Sequence, residues 1–264
     1  MSEWSTKWQL KISLEKCSVL HLGKNNIENP YFINGYELQR TNCVKDLGVL
    51  TSSTMSSTLH CNELYKKCSR ISSLIYKTFL SRNIDLMLQA YKVYVLPILD
   101  YCSPVYNPSK ISDINKIERI QRKFTKRILG NNLSYNARLQ ILKLENLEER
   151  RLKSDLALAY KILHNQLPIL SHIVQLKQPR MSTRTSTKPQ IDVPRFKLNI
   201  KKYFFTRRVA EVFNYFPVSD TCMERYDPKK FKRSLDAVDL KRYTRGAVMC
   251  CLHGQPGAPV PMQL

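Results

Sequence analysis

Residues 83–127 read NIDLMLQAYKVYVLPILDYCSPVYNPSKISDINKIERIQRKFTKR, and they carry three structural signals. Asn83 can cap a helix that runs through Tyr94, because its side-chain oxygen accepts from the free N–H groups of a first turn. Pro97, Pro104 and Pro108 then break the regular structure. From Ser109 or Ser112 to Leu129 the period is helical again, and Gly130 is the stop. At about 100° per residue, Ile114, Ile117, Ile120, Phe124 and Ile128 fall on one side of this last helix. Lys116, Arg119, Arg122, Lys123, Lys126 and Arg127 fall on the other.

The apolar side must pack on neighbouring helices. The basic side suits a phosphate backbone, where arginine can make bidentate contacts. Asp113 and Glu118 are the only acids set against the six cations of this helix, so intrahelical pairing cannot neutralise it. A solvated charged face is the plain alternative. An anionic membrane or a calmodulin-like protein also accepts a basic amphipathic helix.

Upstream, residues 59–80 place Leu64, Cys68, Ile71, Ile75 and Phe79 on one helical face. Thr51 to Thr58 is a Ser/Thr-rich loop. Residues 1–52 read as a short helix end and then strands. Residues 16–21 form one strand, closed by Gly23. Tyr31-Phe32-Ile33 and Tyr36-Glu37-Leu38 flank Asn34-Gly35, the signal of a type I′ hairpin. Residues 46–50 give a further strand.

Downstream, Ser134 can cap a short helix through Leu142, and Asn146 with Glu149 opens a helix over 147–164 in capping-box fashion. Residues 171–197 are rich in Ser, Thr, Arg and Pro and read as an exposed linker or arm. Tyr203-Phe204-Phe205 begins a helix reaching Phe213. Asp227 and Pro228 open a last helix through about Tyr243. Residues 246–264 carry Gly and Pro without periodicity and are expected to be disordered. The expected regions are therefore 1–52, 53–170, 171–245 and 246–264.

The chain has 264 residues, enough for a sizeable core in one large or two small domains. Lys plus Arg is 43 against 21 Asp plus Glu, so the net charge is +22. Such an excess favours a polyanionic partner, since binding releases phosphate counterions. A second basic run spans Lys177 to Arg208 and includes Lys201, Lys202, Arg207 and Arg208, with Phe196, Tyr203, Phe204 and Phe205 interleaved. That mixture suits single strands or hybrids; the alternative is aromatics in the core and cations in water. The eight cysteines include no C-x-x-C pair, and no histidine stands at zinc-finger spacing. Neither a signal peptide nor an apolar run of membrane-spanning length is legible. The expected location is intracellular, nuclear or cytoplasmic.

The order of these parts resembles reverse transcriptases of jockey-like non-LTR retrotransposons, specifically the end of the palm, the thumb and the C-terminal extension. Residues 14–23, LEKCSVLHLG, resemble the segment after the catalytic loop. The resemblance makes Lys16 a candidate proton donor to departing pyrophosphate; the bland reading is a surface lysine at a strand start. Val44-Lys45-Asp46-Leu47-Gly48-Val49 resembles the element that grips the primer end. Residues 90–106 and 120–127 resemble the thumb, and Tyr203-Phe204-Phe205, Phe213-Asn214-Tyr215-Phe216-Pro217 and Phe231-Lys232 the closing segment.

Nucleotidyl transfer needs two metal ions held by close carboxylates. The chain has no Asp-Asp pair, and Asp46, Asp100 and Asp113 are isolated. The resemblance puts the fingers and both metal-ligand motifs before Met1. No catalytic or metal-ligating residue is therefore expected here, nor any cofactor; Mg²⁺ is expected only for the complete polymerase. The expectation is an α+β chain, a palm remnant followed by a helical thumb. Its function would be that of a truncated RNA-directed DNA polymerase, inactive alone, that binds RNA or RNA–DNA or DNA duplex, with no membrane partner. Two alternatives stand beside it: a non-enzymatic protein-interaction scaffold built on the helices of 59–164, and a decayed open reading frame with unpartnered palm strands.

Overall fold

The computed structural model describes residues 2–23, 26–177, 190–193, 201, 203–215 and 225–244. The architecture is α+β, with short paired strands first and helices after them. Helix α1 (Ser2–Lys7) and a 3-10 turn (Leu14–Lys16) lead into β1 (Ser18–Leu20), which pairs in parallel with β4 (Gln39–Thr41). Between them, β2 (Phe32–Ile33) and β3 (Tyr36–Glu37) form the Asn34-Gly35 hairpin. Asn34 has φ 52° and Gly35 79°, the two positive values a type I′ turn requires.

A second hairpin departs from expectation. Strand β5 (Cys43–Asp46) pairs antiparallel with β6 (Val49–Ser52), so Leu47-Gly48 is a turn rather than the interior of one strand. Leu47 sits at φ 43° and Gly48 at 88°. Leucine rarely adopts a positive φ, which is why the residue types conceal the turn. Thr51 and Ser52 also belong to β6, so the Ser/Thr loop is shorter than expected.

Nine of the described helices are α1 and the following: α2 (Thr58–Thr78), α3 (Ile84–Tyr94), α4 (Leu96–Asp100), α5 (Ser103–Tyr106), α6 (Ile111–Leu129), α7 (Tyr135–Ile141), α8 (Leu147–Leu163) and α9 (Phe205–Tyr215). Helix α10 (Pro228–Ala237) and a 3-10 turn (Leu240–Tyr243) close the described chain; the last helix is thus shorter than expected. The expected caps are formed. Asn83 accepts from the N–H groups of Asp85 and Leu86 at 2.9 and 3.2 Å. Ser134 accepts from Ala137 N–H, Asn146 from Glu149 N–H, and Asp227 from Lys229 and Lys230 N–H. Gly130, at φ 84°, ends α6. Pro97 and Pro104 interrupt the chain less than expected. Each lies in the first turn of a short helix, where a missing N–H leaves nothing unpaired.

Two hydrophobic cores form. The first gathers Cys61, Leu64, Cys68 and Ile75 of α2, Met87 and Tyr91 of α3, Leu99 of α4, and Ile117, Ile120 and Phe124 of α6, with Val49 of β6 and Leu147 at the start of α8. The second gathers Leu152, Leu156, Ala159 and Tyr160 further along α8, Val209, Ala210 and Phe213 of α9, and Phe231 and Leu235 of α10. Helix α8 therefore passes from one core into the other. The Phe231 ring stacks on Tyr160 with centroids 4.1 Å apart, and the Tyr160 hydroxyl accepts from Asp227 N–H. Part of the expected linker is packed rather than exposed. Val174 and Ile191 are buried in the second core, Leu176 bridges to Ile191, and the Asn214 side chain bonds both the N–H and the carbonyl of Ile191. The expected disordered tail, 246–264, lies outside the described residues.

Candidate nucleic-acid interface

Helix α6 divides as its pattern predicts. Ile114, Ile117, Ile120 and Phe124 are buried, Ile128 packs partly against the same core, and Arg119, Arg122, Lys123, Lys126 and Arg127 are exposed. Lys116 is half-buried. The two acids of the helix face inward. Asp113 is buried and accepts from the Thr58 hydroxyl at 2.7 Å. Glu118 is buried and accepts from the Tyr135 hydroxyl and from Leu147 N–H. Burial pushes the Glu118 carboxyl above the usual carboxylate range, against the pull of its hydrogen bonds and of Arg151. Gln121 completes this inner polar row, accepting from Tyr91 and donating to the Glu145 carbonyl. The acids available to offset the cations are thus withdrawn from the surface. Among the described residues none of the six α6 cations forms a salt bridge.

Helix α2 lies along α6. Thr58 meets Asp113, Asn62 meets Lys116 at 2.5 Å, Tyr65 meets Lys123 at 2.8 Å, and Tyr76 donates to the Phe124 carbonyl. Partners rise together in number, so the two helices run in the same direction. Aromatic rings hold several cations at this seam. Lys123 lies over Tyr65, Arg127 over Tyr76 at 5.0 Å, and Arg122 over Tyr135 at 5.1 Å. The Lys123 ammonium, bonded to the Tyr65 hydroxyl, draws that phenol below its ordinary range.

Beyond the seam α2 presents Lys66, Lys67, Arg70 and Lys77, all exposed. Glu63, bound to Lys66 at 3.2 Å, is the only acid on α2. These four lie outside the sequence expectation, which covers only the apolar face of α2. Their signal was legible: the exposed side of one 21-residue helix carries four cations and one acid. The basic ridge is therefore two helices wide.

A groove of about 970 Å³ continues the ridge toward the second hairpin. Lys45, His60, Lys66, Lys67, Arg70 and Tyr101 are among its lining residues. The Tyr101 hydroxyl donates to the Leu47 carbonyl at 2.8 Å and holds the hairpin tip against α4. His60 accepts from Leu50 N–H, which ties β6 to α2. Burial, assisted by Lys45, keeps its imidazole below the ordinary range. Within the segment expected to resemble a primer grip, Lys45, Asp46, Leu47 and Gly48 are exposed, and Val49 is buried in the first core.

The remaining expected residues are scattered. Lys16 is exposed at the end of the 3-10 turn before β1. Lys201 is exposed, and Lys202 lies outside the described residues. Arg207 bonds Glu211 one turn along α9. Arg208 departs from the expected phosphate contact. Its guanidinium reaches Asp155 at 2.8 Å and the carbonyls of Tyr203 and Pro104 at 2.7 and 3.1 Å, because α9 packs this side chain against α8 and α5. The aromatics interleaved with this run divide: Phe204 is exposed, whereas Phe205 packs on the second core.

The isolated aspartates do not converge. Asp100 holds Arg150 through bonds of 2.7–2.9 Å, Asp113 faces Thr58, and Asp46 is at the second hairpin. Among the described residues no three His, Cys, Asp or Glu side chains are grouped so as to hold a metal ion. The carboxylates of the described residues do not fit a two-metal centre. No described helix is long and apolar enough to cross a membrane.

No family model matches the chain, and no solved structure matches it. Over 133 residues, 48% of the chain, it is 29% identical to the RNA-directed DNA polymerase from mobile element jockey of Drosophila funebris. It is 27% identical to the polymerase of the same description from Drosophila melanogaster. The match spans 14% of each of those proteins. An uncharacterised protein of Caenorhabditis elegans is 26% identical over 133 residues, a span that covers 65% of that protein. Over about half of its length, the chain is related in sequence to a mobile-element RNA-directed DNA polymerase.

Proposed function

We propose that this chain is the end of the palm, the thumb and the extension of a non-LTR retrotransposon reverse transcriptase, and that it binds RNA or template–primer duplex along the α2–α6 ridge. The observation that carries the reading is the double row of exposed cations on two parallel helices whose α6 acids are turned inward. Binding of this kind follows the phosphate backbone. It has little sequence preference and weakens steeply with salt. The groove beside the Leu47-Gly48 turn continues the same track, with Lys45 of β5 and Lys67 and Arg70 of α2 in its lining. In this reading that hairpin holds the primer end, and Lys201, Lys202 and Arg207 of the second basic run add further contacts. The chain alone carries no polymerase activity in this proposal, and Mg²⁺ belongs to the complete enzyme.

The test is fluorescence anisotropy of a labelled RNA–DNA hybrid and of a labelled RNA, titrated with the 264-residue chain over a range of KCl. The combined substitution Arg119→Ala, Lys123→Ala, Lys126→Ala is expected to weaken both and to flatten the log–log salt slope by roughly 2–3. Unchanged affinity and slope would remove the ridge from the proposal.

A further inference from the structure

A second cleft, of about 850 Å³, opens where α3, α4, the residues after α7, α8 and α10 meet. It shares no lining residue with the ridge or with the hairpin groove. Its lining includes four leucines, Leu96, Leu144, Leu158 and Leu235, and no aromatic ring. Its acids are already occupied. Asp100 binds Arg150, while Glu145 and Asp236 both bind Lys153. Burial opposes the charge on Lys153, yet these two carboxylates hold its pKa above the usual lysine range. The other four cations of the lining, Lys92, Lys143, Lys161 and Lys232, are exposed and form no salt bridge among the described residues.

From this arrangement we propose that the cleft is a docking site for an acidic amphipathic peptide segment of a partner protein. Its apolar side chains would contact the half-buried Leu144 and Leu158, behind which Leu96 and Leu235 are buried in the two cores, and its carboxylates would meet the four free lysines. The choice of a peptide over a nucleic acid rests on the lining. Bases bind by stacking on aromatic rings, which the cleft lacks, whereas leucines beside cations match the apolar and acidic sides of an amphipathic segment. Positive charge left over after internal pairing supplies the complementarity that selects and orients such a partner.

The probe is a fluorescein-labelled peptide of Glu-Glu-Leu-Leu repeats, titrated with the full chain; a control peptide has every Leu replaced by Ser. Saturable binding is expected, weakened roughly tenfold or more by Lys143→Glu combined with Lys161→Glu. Both lysines are exposed, and thermal melting of that variant is expected to match the wild type. The ridge substitutions at Arg119, Lys123 and Lys126 are expected to leave peptide binding unchanged, and single-stranded RNA to compete poorly. Absence of saturable binding overturns the proposal. So does equal affinity for the Ser control, loss of peptide binding in the ridge variant, or efficient displacement by RNA. The proposal is independent of the ridge reading: hybrid binding is tested at residues outside this cleft and can fail while this succeeds.

Discussion

Arg119 on α6 and Arg208 on α9 both lie on amphipathic helices, and their surroundings differ completely. Arg119 stands exposed on a ridge whose nearby α6 acids are buried beneath it. Arg208 is drawn inward and binds Asp155, which is 0% exposed. Beside the second core that seam also holds buried charge. Arg151 is buried with no hydrogen-bond partner for its guanidinium among the described residues, and Asp155 also accepts from Asn107 at 3.0 Å. Burial pushes the Asp155 carboxyl above the usual range despite the pull of Arg208. The same residue type is thus a surface charge in one region and an internal clamp in the other. Net charge counts both alike, and only the first is left in water.

The largest expected effect falls on the clamp. Asp155→Ala removes the carboxylate from Arg208 and from the neighbouring Arg151, whose guanidinium makes no hydrogen bond among the described residues, and a broken buried pair costs about 3 kcal/mol or more. Urea unfolding measures it; a change below about 1 kcal/mol would dissolve the contrast between the two regions. Next comes the ridge. The triple substitution that weakens hybrid binding is expected to move stability by less than about 1 kcal/mol, because exposed cations without acids contribute little to folding. A large loss of stability there would mean that the ridge is structural too.

A smaller effect sharpens the account of the hairpin beside the ridge. Leu47 is 82% exposed and holds a positive φ, so Leu47→Gly is expected to stabilise the chain by roughly 1 kcal/mol. A destabilised variant would show that the leucine side chain has contacts worth more than the strain. The smallest effect concerns His60. Its imidazole is depressed in the folded chain, so it contributes stability above the unfolded value of about 6.5. That contribution is lost as pH falls through this value toward the lower folded one. The stability difference between wild type and His60→Gln is therefore expected to narrow from about pH 7.5 to about pH 5.5. Parallel curves would assign the slope to other groups.

Much of the helical part was legible from local chemistry. Asn83, Ser134, Asn146 and Asp227 each cap the helix that follows them, since a short side-chain acceptor beside free N–H groups acts within a few residues. The two faces of α6 were legible for a similar reason, as the period of one helix fixes which side chains share a side. The second hairpin was not legible, because Leu47 accepts a backbone angle that leucine disfavours while the Tyr101 hydroxyl holds its carbonyl. The extent of the ridge was not legible either, since the sequence does not show that α2 lies beside α6 in the same direction.

What the sequence by itself determined is the set of local decisions: element starts and stops, the Asn34-Gly35 turn, the apolar stripes, and the basic balance of +22. Those depend on residues one to four positions apart. Tertiary structure decided which charges remain in water. Asp113, Glu118 and Asp155 were placed inside, Arg208 was turned to meet one of them, and Val174 and Ile191 were drawn from an apparent linker into a core. Burial depends on neighbours brought together from distant parts of the chain, so the fate of a charge is set only when the helices pack.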